Sequence, residues 1–195
     1  MPMDKTFEMI EKRDIEALKA ASPEFLLERN GNGDTPLMMA INGGWTEAVD
    51  HLLSADASPF INAVNSKEEN ALFYAIYAKN EELAFKLIGK GADIHHKCYL
   101  NQTTLFVSVM SHLDKLSKEL ILRGVDVNDK IELGQSPVAM AALYGQWEVV
   151  KLLLDFGADK DAEDMYGMNA ASWAHFHEHF ALARFLQEYQ SPGAH

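Results

Sequence analysis

The sequence predicts an all-α solenoid of stacked helix-turn-helix units, and three observations predict it. Similar blocks recur at a nearly fixed spacing, each block opens on a residue able to cap a helix, and each carries a small residue at the same offset. The blocks read TPLMMAINGGWTEAVDHLL from Thr35, NALFYAIYAKNEELAFKLI from Asn70, TTLFVSVMSHLDKLSKELI from Thr103, SPVAMAALYGQWEVVKLLL from Ser136 and NAASWAHFHEHFALARFLQ from Asn169. Their starts lie 35, 33, 33 and 33 residues apart. A fixed period of this length marks a repeat architecture, in which each unit buries its apolar faces against its neighbours.

Within a unit the elements follow in order. Thr35, Asn70, Thr103, Ser136 and Asn169 each offer a side-chain oxygen to the unpaired N–H groups of a first helical turn, so each marks a helix start. Pro36 and Pro137 follow at the first helical position, where a missing N–H is harmless. Ala40, Ala75, Ser108, Ala141 and Ala174 then recur at one offset, the small side chains that close approach of stacked helices requires. Gly44 and Gly145 end the first helix, and a second apolar stripe, such as Val149, Val150, Leu153 and Leu154, leads to Gly157. Three blocks close on a glycine and a short extended segment: GADIHH from Gly91, GVDVND from Gly124 and GADKDA from Gly157. The unit is therefore helix, turn, helix, extended loop, and no segment reads as a long strand.

Composition narrows the function. With 195 residues, 48% of them apolar, the chain has ample material for a core, and no apolar run approaches the ~20 residues that span a bilayer. The N-terminal MPMDKTFEMIEKRD carries acids where a secretory signal needs a basic start and an apolar stretch, so a cytoplasmic protein is expected. A single cysteine, Cys98, forms no intrachain disulfide and fits a reducing compartment. The net charge of −12 repels phosphate backbones and anionic membranes, and it speeds encounter with basic proteins.

The blocks resemble the ankyrin repeat, whose turn, Thr-Pro-Leu, paired antiparallel helices and Gly-Ala-Asp-Val-Asn they follow over residues 31–189. FEMIEKRDIEALKA, residues 7–20, resembles a degenerate first unit acting as N-terminal cap. The resemblance divides a single domain, 1–195, into a cap at about 3–30 and about five full repeats at 31–65, 66–98, 99–131, 132–164 and 165–190. Asn70 and Ala71 replace Thr-Pro, His112 replaces the glycine in mid-unit, two extra residues fall between Ser54 and Ile61, and the last unit ends in SPGAH.

The resemblance also implies a non-catalytic module that needs no cofactor and binds another protein through a concave face. That face is lined by the residues just before the cap and seven to eight after it. In the first full unit these offsets give Asn32, Asp34 and Asn42, and in the second Lys67, Glu69 and Tyr77. The third gives Tyr99, Leu100, Gln102 and Met110, and the fourth Glu132, Leu133, Gln135, Leu143 and Tyr144. The fifth gives Met165, Tyr166, Met168, Phe176 and His177. The partner-binding set is the apolar and aromatic part of this list: Tyr77, Tyr99, Leu100, Met110, Leu133, Leu143, Tyr144, Met165, Tyr166, Met168, Phe176 and His177. Such side chains are enriched at interface centres, and stability does not ask for them on a solvated face. The acids at 161, 163 and 164 would form a rim suited to a basic contact surface, and a monomeric inhibitor or immunity-type protein of a basic enzyme is the sharper expectation.

One histidine group carries the alternative. His175, His177 and His179 flank Glu178 and would serve a small metal-dependent enzyme if a sharp turn brought the rings together. His95, His96 and Cys98 lack an evident fourth ligand and read as a structural loop. Asp155, Asp159, Asp161, Glu163 and Asp164, with Lys160 among them, lack the ligand register of a calcium loop and read as a solvated hairpin. Trp45 and Trp147 are expected to cover the inter-helix turns, and Trp173 to pack in the core.

Overall fold

Helix starts are decided by the five predicted cap residues, and each caps as its chemistry directs. The computed structural model describes residues 5–22, 25, 27–54 and 60–190, so SPGAH and most of the inserted segment lie outside the described residues. Thr35 accepts from Met38 N–H, Asn70 from Leu72 and Phe73, Thr103 from Phe106, Ser136 from Ala139 and Asn169 from Ser172. The first helices that follow are α3 (Pro36–Asn42), α5 (Ala71–Tyr77), α7 (Thr104–Met110), α9 (Pro137–Leu143) and α11 (Ala170–Phe176). Their partners are α4 (Thr46–Ser54), α6 (Glu81–Gly89), α8 (Asp114–Leu122), α10 (Trp147–Asp155) and α12 (Phe180–Glu188). Ahead of them, α1 (Lys5–Glu11) and α2 (Ile15–Lys19) form the pair that the degenerate first block predicts. Among the described residues the only strands are β1 (Lys97–Cys98) and β2 (Gln102–Thr103), an antiparallel pair of two residues each.

The chain forms two compact units, Met1–Ile94 and His95–His195. In the first, α1 packs on α3, α2 on α4, and α3 on α5. In the second, α7 packs on α9, α9 on α11, and α8 on α10. First helices thus stack on first helices, and the recurring small residue permits it: Ala40, Ala75, Ser108, Ala141 and Ala174 are all fully buried. Ser108 is tolerated there because its hydroxyl is satisfied, donating to Leu105 O at 2.8 Å and lying 2.8 Å from the Ser117 hydroxyl.

The turn from first to second helix is one device repeated. Gly44, Lys79, His112, Gly145 and Glu178 share a left-handed backbone, with φ of 62°, 52°, 58°, 67° and 64°. The next N–H then caps the small residue's carbonyl: Trp45 donates to Ala40 at 2.9 Å, Asn80 to Ala75 at 3.0 Å, Leu113 to Ser108 at 3.0 Å, Gln146 to Ala141 at 2.9 Å and His179 to Ala174 at 2.8 Å. Arg13, with φ 54°, makes the same turn between α1 and α2, and Asp14 N–H donates to Met9 O at 2.9 Å. Four turns therefore impose on Arg13, Lys79, His112 and Glu178 a conformation natural to glycine. At Gly145 a Cβ would also lie 2.7 Å from the His179 ring, which would have to move aside.

The tryptophans divide. Trp45 is buried, whereas Trp147 is half-buried with its ring 5.5 Å from that of Phe185 on α12. Lys160, expected as a solvated loop residue, is half-buried and donates to both carboxylate oxygens of Asp161 at 2.9 Å.

Two stability changes follow, read by urea unfolding. Ala141→Leu overpacks the contact between stacked first helices and should cost about 1–3 kcal/mol. Lys79→Gly relieves a left-handed residue on an exposed turn and should gain about 1 kcal/mol; a loss instead would show that the lysine side chain, not its backbone, matters at that turn.

Candidate interaction face

Each first helix is entered through a tight five-residue loop, at residues 30–34, 65–69, 98–102, 131–135 and 164–168. In four of them the first residue donates its N–H to the fifth carbonyl: Asn30 to Asp34, Asn65 to Glu69, Ile131 to Gln135 and Asp164 to Met168, all at 3.0–3.1 Å. In the remaining loop β1 and β2 pair Cys98 with Gln102. The fourth residue is left-handed throughout: Gly33, Glu68, Asn101, Gly134 and Gly167. Three loops are pinned further by their first side chain. Asn30 Oδ1 accepts from Asn32 and Asp34 N–H, Asn65 Oδ1 from Lys67 and Glu69, and Asp164 Oδ1 from Tyr166 and Met168, at 2.9–3.0 Å. Cys98 and Ile131 occupy this place in the other two and cannot do the same.

Neighbouring tips within a unit are also tied to each other. Ser66 N–H donates to Asn32 O at 3.0 Å in the first unit; in the second, Glu132 donates to Leu100 O at 3.0 Å and Met165 to Leu133 O at 3.1 Å. The tips are therefore presented on a hydrogen-bonded frame, and their second and third residues are exposed except for half-buried Leu100. Close approach demands Gly134, whose Cβ would lie 3.1 Å from Asp164 Cα.

On this frame the second unit displays Tyr99, Leu133, Met165 and Tyr166 at its tips, with Met110, Phe176 and His177 at the ends of first helices. Tyr99, Met165, Tyr166 and Phe176 are each more than 60% exposed (64%, 64%, 63% and 70%). Leu100, Leu143, Tyr144 and Met168 are half-buried, and the Tyr144 ring rests edge-on against His112 with centroids 4.6 Å apart. In the first unit Tyr77 is exposed, with its ring 6.3 Å from that of Phe73.

Two acids are not where the sequence suggests. Asp34, expected on the solvated face, is buried. Its Oδ1 accepts from the Tyr74 hydroxyl at 2.6 Å and from Asn65 Nδ2 at 3.0 Å, and its Oδ2 from Asn30 Nδ2 at 3.2 Å. Asp164, expected at the acidic rim, is also buried, and its Oδ2 accepts from Trp173 Nε1 at 2.8 Å. Trp173 is thus half-buried and hydrogen-bonded to its own tip, more than core packing alone. A signal for these contacts was present in the sequence: an Asn or Asp five residues before the cap at 30, 65 and 164, and an aromatic residue with a polar edge four after it at Tyr74 and Trp173. The exposed acids beside the second unit's tips are Glu132, Asp159, Asp161 and Glu163. Asp161 pairs with Lys160, while Lys130 donates to Glu163 O at 3.1 Å.

The histidines separate. His175 sits in the last turn of α11 with its ring 5.2 Å from that of Phe180, His177 lies 6.1 Å from the Trp173 ring, and the His179 ring covers Gly145. Cys98 is buried in β1, its Sγ 3.9 Å from Tyr99 O. Among the described residues no group of three or more His, Cys, Asp or Glu is placed to hold a metal ion.

The family model of ankyrin repeats, written as three copies, matches residues 9–98 and again residues 105–194. The chain belongs to the ankyrin-repeat family. A search of curated protein sequences returned no match. The ankyrin family is in general a non-catalytic protein–protein interaction module, and the mostly helical fold described above is its fold. No helix among the described residues is long and apolar enough to cross a membrane.

Asp34 is expected to make the first unit less stable in acid. Burial alone would raise its carboxyl pKa, but the hydrogen bonds from Tyr74, Asn65, Asn30 and Asn32 outweigh burial and hold it below the usual carboxylate range. Tyr74 is pushed the other way, by burial first and then by its bond to that carboxylate. A folded pKa below the unfolded one contributes stability that is present above about pH 4 and lost as pH falls through the folded value. Urea melts at stepped pH should show the gap between the parent and Asp34→Asn closing below about pH 4; a gap that does not change with pH would show that the carboxylate's charge contributes nothing.

Proposed function

We propose that this ankyrin-repeat chain grips one partner protein through the tip face of its second unit, and that the partner is basic around its contact site. The observation that carries the reading is the set of apolar side chains held out at consecutive tips, Tyr99, Leu133, Met165 and Tyr166, flanked by Met110 and Phe176. Folding gains little from exposing them. A rigid apolar cluster of this kind is what the desolvated centre of an interface uses, and Tyr is among the residue types that dominate interface energetics. Glu132, Asp161 and Glu163 lie beside these anchors in sequence and are exposed, which supports a basic partner whose approach they would accelerate.

The overall charge of −12 supports the sharper form of this reading, a monomeric inhibitor or immunity-type protein that covers the functional surface of a basic enzyme. In that role the apolar anchors supply affinity and the acids supply rate. Tyr144 and Met168 contribute less directly, because both are half-buried against the unit's own residues.

The test starts from a pull-down in the native source with identification by mass spectrometry. Against the captured partner, Tyr99→Ala combined with Tyr166→Ala should leave the circular dichroism spectrum unchanged yet weaken binding by about 2 kcal/mol or more, mainly through faster dissociation. Neutralising Asp161 and Glu163 should instead slow association and flatten its salt dependence. A folded double-tyrosine variant that binds like the parent would remove the tip face of the second unit as the site.

A further inference from the structure

In the second unit the seams between consecutive repeats are closed, near the turns between helices, by side chains; the matching seam of the first unit is not. Where α9–α10 follows α7–α8, the Tyr144 ring rests on His112, and buried Gln146 donates Nε2 to Val109 O at 3.0 Å. Where α11–α12 follows α9–α10, the His179 ring covers Gly145 and the Trp147 ring lies 5.5 Å from that of Phe185. Counted from the left-handed turn residues, Gly44 stands in the first unit where His112 does in the second, Ala78 where Tyr144 does, and Asn80 where Gln146 and His179 do. Thr46 and Lys86 take the places of Trp147 and Phe185. None of these first-unit residues carries a ring, and Asn80 is spent on its own helix, its Oδ1 accepting from Leu83 N–H at 3.0 Å.

The result is a cleft of about 370 Å³ between α4 and α6. That volume lies at the lower end of small-molecule sites, which span ~300–1,000 Å³. Its apolar lining comes from Ile41, Trp45, Val49 and Leu83, and its charged lining from exposed Asp50, Glu82 and Lys86. We propose that this cleft binds a small aromatic amine, one planar ring bearing an ammonium group. The inference goes beyond the partner-protein reading and uses none of the residues which that reading names.

The repeat itself specifies the ring. At the equivalent seams the second unit places a phenol, an imidazole and an indole–phenyl pair, so the space between adjoining repeats is ring-sized. An aromatic ring entering the first unit's cleft makes with Trp45, Val49 and Leu83 the dispersion contacts that the second unit obtains from its own side chains. Charge specifies the ammonium. Lys86 already pairs with Asp50 at 2.6 Å, linking α6 to α4, whereas no ion pair among the described residues includes Glu82. An anion would meet two carboxylates against one ammonium, in a chain of net charge −12.

The test titrates the full, isotope-labelled chain with 2-phenylethylamine, with ethylamine, which lacks the ring, and with 2-phenylethanol, which lacks the charge, and follows each by NMR. 2-Phenylethylamine should shift the Trp45 indole and the Val49 and Leu83 methyl signals saturably and leave the Trp147 and Trp173 indoles in place. Ethylamine should give no saturable shift, and 2-phenylethanol should bind about threefold more weakly than the amine. Glu82→Gln, an exposed change, should remove that threefold advantage. Ala78→Tyr gives the first unit the ring that the second has at Tyr144. Ala78 is exposed with a right-handed backbone, φ −70°, that tyrosine adopts freely, so this variant folds, and it should abolish the shifts. No saturable shift at Trp45, saturable shifts with ethylamine, equal affinity for 2-phenylethylamine and 2-phenylethanol, unchanged amine affinity in Glu82→Gln, or Ala78→Tyr binding like the parent overturns the proposal. None of these outcomes touches Tyr99 or Tyr166, so failure here leaves the tip-face reading standing, and failure of the double-tyrosine test leaves the cleft standing.

Discussion

Helices of seven and nine residues do not persist alone in water, because nucleating a helix costs more than so few internal hydrogen bonds return. Everything else in this protein depends on first helices lying close enough to bury one another, and that closeness depends on one small residue per repeat. Ala40, Ala75, Ser108, Ala141 and Ala174 are fully buried, and each also lends its carbonyl to the turn that sends the chain back as the second helix. The same position thus sets the helix spacing and closes the helix end. A larger side chain there would push stacked helices apart and strain the turn together.

That constraint explains why four turns tolerate Arg13, Lys79, His112 and Glu178 in a left-handed conformation. The backbone there is dictated by the pairing of helices, so a residue costing about 1 kcal/mol of strain is carried by the packing around it. It also explains the division of labour in the loops. Their main chain is spent on hydrogen bonds that fix the tips, through Asn30, Asn65 and Asp164 and through the links between neighbouring tips. The second and third side chains of the tips are for the most part exposed, with Leu100 half-buried and Asn32 bonded to Asp34 as the exceptions.

The two units use those positions differently. In the second, the tips carry Tyr99, Leu133, Met165 and Tyr166, and the nearby cations are engaged, Lys130 with a backbone carbonyl and Lys160 with Asp161. In the first, Asn32 and Lys67 occupy the corresponding places, and the nearby chemistry is a buried carboxylate held by neutral donors. One architecture therefore presents an apolar surface in one unit and a buried hydrogen-bonded carboxylate in the other.

The helices, their caps and the recurring small residue were legible in the sequence alone, because a capping oxygen, a proline at the first helical position and a packing alanine act within a few residues of chain. The exposure of Tyr99, Met110, Leu133, Met165, Tyr166 and Phe176 was expected too, from the offsets that the ankyrin resemblance implies, whereas Leu100, Leu143, Tyr144 and Met168 at those offsets are half-buried. What only the tertiary structure decided are contacts between residues one repeat apart or across a tip: Tyr74 and Asn65 reaching Asp34, Trp173 reaching Asp164, Tyr144 leaning on His112, and the His175, His177 and His179 rings turning to separate neighbours. A local pattern distinguishes buried from exposed on average. Whether a particular carboxylate turns inward depends on which donors the adjoining repeat supplies, and that is settled only when the repeats stack.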